Sequence, residues 1–139
     1  MTHRIIVAYL GNMRQTIKTL RTSSAFGDRL RRLREPRAMR DRAFSLRQVA
    51  SRCGVTPAYL SRIERGELAP PGEETLIKLA DELGEDRDVL LALAGKVSAD
   101  LRAAIMARPK LFAELIRAIK DAPDHAVLRI VREVRDGNW

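Results

Sequence analysis

The chain has 139 residues, 45% of them apolar and 4% aromatic, a composition that builds a small aliphatic core and leaves no room for several large domains. Its formal charge of +8 is uneven: residues 1–66 carry 15 Lys+Arg against 4 Asp+Glu, and residues 67–139 carry 11 against 14. One cysteine excludes an internal disulfide framework, and the longest N-terminal apolar run, Ile5–Leu10, is too short for a membrane span, so a cytoplasmic protein is expected. A basic face confined to half the chain suits a nucleic acid, and the excess of arginine over lysine suits bidentate contacts to phosphate and guanine.

In chain order, residues 1–24 read as a basic N-terminal extension. Ile6, Leu10, Met13, Ile17 and Leu20 follow helical spacing, Gly11-Asn12 interrupts it, and Arg21–Ser24 reads as a linker. His3 and His125 are isolated and read as surface residues. Phe26, Leu30 and Leu33 line a first clear helix that Pro36 should end near Arg34. An arginine-rich connection over 36–44 follows, its Arg37, Arg40 and Arg42 either touching phosphate or forming a solvated loop.

Ser45 caps the next helix, with Gln48 completing a capping-box pattern, and Leu46, Val49 and Ala50 form its apolar face up to Gly54. Thr56 and Pro57 fit the N-cap and N1 positions of another, with Tyr59, Leu60 and Ile63 inward and Gly66 at its end. Helices over 73–83 and 86–94 follow, with Leu76, Leu79, Ala80 and Leu83, then Val89, Leu90 and Leu93, facing inward. Ser98 can cap a sixth helix and Pro109 starts a seventh, striped by Leu111, Phe112, Leu115, Ile116 and Ile119. After Asp121-Ala122-Pro123 a last helix carries Val127, Ile130, Val131 and Val134 and ends at Gly137.

The segment Leu46–Arg65, LRQVASRCGVTPAYLSRIER, places two short helices across the turn Cys53-Gly54-Val55. Ala50 is small where the helices meet, Gly54 tolerates positive φ, and Val49, Val55, Leu60 and Ile63 are spaced to bury both against one core. With FGDRLRRLRE before it and Pro70 and LIKLADELG after it, the stretch Phe26–Leu93 resembles the lambda-repressor/Cro-like (Xre) helix-turn-helix family. The resemblance implies an all-α, five-helix DNA-binding domain over 25–97, whose third helix reads the major groove of double-stranded DNA. Residues 98–139 are a C-terminal helical segment expected to bind a second copy or another protein.

Carried onto this chain, the resemblance places base reading at Thr56, Pro57, Ala58, Ser61 and Arg62. Arg62 matches guanine, Pro57 and Ala58 offer apolar contact to thymine methyls, and Ser61 bonds a base or a phosphate. Tyr59 approaches the DNA backbone or packs. Ser45, Leu46 and Arg47 at the helix-two start meet phosphate, as does Arg65. The resemblance also places an ion pair at Arg34 and Glu64. Where family members often carry glutamine, this chain has Leu46 and Pro57, so amide readout of adenine is absent there, and the connection between the first two helices is longer than usual.

The expected protein is a homodimeric regulator that represses transcription. An antitoxin holding a toxin through 98–139 is the alternative. The small aromatic content argues against RNA binding, and no catalytic constellation, metal cluster or cofactor site can be assembled, so no enzyme is expected.

Overall fold

The computed structural model describes the backbone of residues 2–137 and 139, and the side chains of these residues except 2–10, 19 and 20. Among the described residues there are helices and no strand: α1 (Thr2–Ala38), a single 3-10 turn (Arg42–Phe44), α2 (Leu46–Arg52), α3 (Pro57–Glu64), α4 (Glu73–Leu83), α5 (Arg87–Leu93), α6 (Ala99–Ala107), α7 (Pro109–Ile119) and α8 (Asp124–Asp136). The chain divides into two compact units, Met1–Ser98 and Ala99–Trp139. No helix among the described residues is long and apolar enough to cross a membrane.

In the first unit, one aliphatic core is shared by five helices. Phe26 and Leu30 come from α1, Val49 and Ala50 from α2, and Leu60 and Ile63 from α3; Leu76, Leu79, Ala80 and Leu83 come from α4, and Leu90 and Leu91 from α5. Leu33, Phe44, Leu46, Val55, Tyr59 and Leu68 pack around it half-buried.

Three sequence expectations are corrected here. Neither Gly11-Asn12 nor Arg21–Ser24 interrupts the chain: both lie within the continuous helix α1. A single glycine costs a helix only about 1 kcal/mol, and the Thr16 and Thr22 hydroxyls donate to the carbonyls of Asn12 and Lys18, four residues back. Ser23 is buried, so the expected linker is where α1 meets the domain. Of the N-terminal stripe, Met13 and Ile17 are exposed, while the side chains of Ile6, Leu10 and Leu20, like that of His3, lie outside the described residues.

Pro36 does not stop α1 near Arg34; the helix runs to Ala38. Proline forfeits one backbone bond, but side chains on either side of it anchor the last turn. Arg34 is held by Glu64, and Arg37 donates to the Leu83 carbonyl and covers the Phe44 ring at 5.6 Å. Arg37 is therefore a packing residue rather than part of a loop.

The inward face of α5 is also rotated. Leu90 and Leu91 are buried with Ala94, whereas Val89 and Leu93 are exposed. The run Val89–Leu93 is apolar on every side of a seven-residue helix, so its periodicity carries no direction.

In the second unit, no described residue of α6, α7 or α8 is buried. Pro109 stands at the start of α7, and α8 follows Pro123 and ends before Gly137. Leu115 and Ile119 of α7 and Val127, Ile130, Val131 and Val134 of α8 line an open apolar groove.

Candidate nucleic-acid interface

The arrangement of α2 and α3 follows from local chemistry. The Ser45 hydroxyl accepts from the Gln48 N–H at 3.3 Å and starts α2. At its other end Gly54 takes φ +70°, its N–H donating to Ser51 O and that of Val55 to Ala50 O, the double bond pattern of a Schellman turn. Thr56 comes next in the chain: its hydroxyl accepts from the Tyr59 N–H at 3.1 Å, with Pro57 in the first turn of α3. Cys53 sits buried in this turn, and burial, reinforced by the nearby Glu82 carboxylate, pushes its thiol pKa up, which suits a packing role.

α3 is fastened to α1 in two ways. Arg34 Nε donates to Glu64 Oε1 at 2.6 Å and its Nη2 to Oε2 at 2.9 Å, while Nη1 reaches the Phe44 carbonyl at 3.3 Å. Only 10% of the Arg34 side chain and 6% of the Glu64 side chain are exposed. The hydrogen bonds that Arg34 donates to Glu64, and the charge of that carboxylate, raise the Arg34 pKa further, against the opposing effect of burial. Close by, Gly27 lets the two backbones touch: a Cβ there would stand 2.4 Å from the Ile63 carbonyl oxygen. Gly27 has no role in the sequence reading. Its signal was only a glycine one position after Phe26 in an amphipathic helix, and nothing local marks it as a crossing point.

With its inner side locked, α3 turns the rest outward. Thr56, Pro57, Ala58, Arg62 and Arg65 are exposed, Ser61 is half-buried, and Tyr59 is half-buried with its ring against the core. Arg47 is exposed beside the cap of α2, where Ser45 is half-buried. A polar depression lined by Arg31, Arg34, Glu35, Leu46, Ser61, Glu64 and Arg65 brings the start of α2 next to the outer side of α3. Ser61 and Arg65 thus share one surface with Leu46, and Arg31, to which the sequence reading gave no role, joins them.

Two short helices across a glycine turn, the second held rigidly with an exposed polar and basic face, define a helix-turn-helix domain. Residues 25–93 match the family described as helix-turn-helix domain, and this segment belongs to it. Over 73 residues the chain is 37% identical to "HTH-type transcriptional repressor RghR" of Bacillus subtilis (strain 168), covering 52% of this chain and 50% of that protein. It is also 37% identical over 76 residues to "Uncharacterized HTH-type transcriptional regulator RghRB" of the same organism, covering 55% and 51%. The chain therefore spans about half the length of these curated relatives. No solved structure gives a significant match.

Proposed function

We propose that this protein is a sequence-specific, double-stranded-DNA-binding transcriptional repressor that reads the major groove with α3. The observation that carries the reading is the rigid presentation of α3: a bidentate, buried pair on its inner side and Thr56, Pro57, Ala58 and Arg62 exposed on its outer side. A guanidinium fork on such a helix matches the O6 and N7 acceptors of guanine, while Ser45, Arg47 and Arg65 serve the flanking phosphates. The name of the relative RghR supports repression.

The protein acts in this reading as a homodimer through residues 99–139. This unit has no buried residue of its own among those described, yet exposes a continuous apolar groove. A chain of some 40 residues needs more core than that, and a second copy supplies it. Charge agrees: residues 99–139 carry 8 Lys+Arg and 6 Asp+Glu, close to balance, so two copies approach without the repulsion that the basic first unit would meet. The same open groove supports a second reading, an antitoxin whose C-terminal unit holds a toxin.

The test of sequence-specific reading is Arg62→Ala, measured on a preferred site selected from a random duplex pool and on random duplex at one salt concentration. The preferred site is expected to lose about 1–3 kcal/mol, with random DNA affected much less. Equal losses on both duplexes would make Arg62 a phosphate contact only.

A further inference from the structure

The carboxylate of Glu67 lies between two arginines of the recognition face. Arg62 Nε stands 3.4 Å from Glu67 Oε2, and Arg65 Nε stands 3.2 Å from Oε1 of the same group. Each carboxylate oxygen thus faces a different guanidinium, as the oxygens of a phosphodiester do between two basic side chains. Glu67 is not carried there by a loose loop. The Gly66 N–H donates to Ile63 O, and the Glu67 N–H donates to Arg62 O at 2.9 Å, closing a Schellman turn at the end of α3. Gly66, at φ +72°, also lies against α1, where a Cβ would come within 2.8 Å of the Ser24 Cα. The Glu67 backbone is therefore held at a set place beside both arginines.

We propose that Glu67 is a built-in phosphate mimic that limits the affinity of this face for DNA, by occupying Arg62 and Arg65 until a nucleic acid displaces it. This rests on the reading of α3 as the DNA-facing helix. The consequence follows from mass balance. Any phosphate or base that takes these arginines gains only the difference between itself and the carboxylate they already hold, and the displaced carboxylate stays near the phosphates as a like charge. The brake acts on every duplex, cognate or not, because it is set in the free protein. It is strongest at low salt, where the phosphates attract most.

The experiment measures binding of a fluorescent random-sequence duplex across a salt series, using the full-length protein, Glu67→Gln, the double variant Arg62→Ala/Arg65→Ala, and the combination of all three substitutions. Glutamine keeps the size of the side chain and removes its charge. Glu67→Gln is expected to bind roughly fivefold tighter at low salt, with the slope of log affinity against log salt steeper by about one phosphate contact. In the arginine-free background the same substitution is expected to lose most of that gain. A merely structural role of Glu67 would move the urea midpoint and leave the salt slope alone. If the double arginine variant weakens binding and Glu67→Gln does not tighten it, Glu67 is no brake, whatever α3 does. If the double arginine variant binds as the parent does, the DNA-facing reading of this surface fails, and the role of Glu67 falls with it.

Discussion

Glu64 carries more of the domain's stability than any exposed charge, because its partner has no water to return to. Arg34 spends its Nε and Nη2 donors on the Glu64 carboxylate and is nearly sealed off. Glu64→Ala leaves that guanidinium buried without a counter-charge, which is expected to cost about 3–5 kcal/mol in a urea melt. Replacing the pair together, as Arg34→Met with Glu64→Leu, is expected to restore most of the loss, since the attraction in a buried pair does little more than offset its own desolvation. A loss below about 1 kcal/mol for Glu64→Ala would mean that water reaches Arg34 after all. The exposed pairs behave differently. Arg31–Glu35 and Lys78–Glu74 are both about half-exposed or more, so water screens each pair and its loss is expected to change stability little.

At the scale of the element, the crossing of α1 and α3 sets how α3 stands in the domain. Two glycines in the same helix make the contrast measurable. At Gly27 a Cβ would meet the Ile63 and Glu64 carbonyl oxygens at 2.4 and 2.7 Å, and neither backbone atom can turn aside. At Gly11 nothing lies within 4 Å. Gly27→Ala is therefore expected to lower stability by about 1–3 kcal/mol by prising the two helices apart. Gly11→Ala is expected to raise it by about 0.5–1 kcal/mol, as alanine does in a helix interior. Thermal melts of the two variants check this directly: a Gly27→Ala protein as stable as the parent would show that the helices are not in backbone contact. The same crossing explains why Ser23 is buried in a stretch that composition alone marks as a linker.

At the scale of the whole molecule, the two units differ in what holds them together. The first has a buried core drawn from five helices, and the second has none among its described residues. A chain ending after Ser98 is expected to remain folded and melt cooperatively, since the buried residues Leu90, Leu91 and Ala94 all precede that point. It is expected to be a monomer, whereas the full chain is expected to sediment as a dimer at about micromolar concentration, the gain being the apolar surface of α7 and α8 removed from water. Binding to a duplex carrying two half-sites is expected to fall steeply in the shorter chain, because the second recognition helix is no longer tethered to the first. A full-length monomer in the absence of DNA would overturn the homodimer and leave the groove to a different protein.

The helix-turn-helix itself was legible residue by residue. Ser45, Gly54, Thr56, Pro57 and Gly66 each act on the backbone within a few positions of themselves, so their effect does not depend on distant packing. The strongly periodic core of α4 was legible for the same reason: eleven residues are enough for one apolar face to stand out. What tertiary structure decided lies where several local solutions are nearly equal in energy. Pro36 argues for a helix end, yet Arg34 and Arg37 find partners 30 and 46 residues away that hold the turn closed. Arg21–Ser24 is poor in apolar residues, yet the approach of Gly66 and the burial of Ser23 keep it helical. The apolar run of α5 permits more than one inward face, and contact with α4 and α1 selects Leu90 and Leu91. Propensities of residues other than proline differ by less than about 1 kcal/mol each, whereas burying one large apolar side chain contributes about 1.5–3 kcal/mol and stranding one partner of a buried ion pair costs about 3–5 kcal/mol, so long-range contacts outweigh local preference.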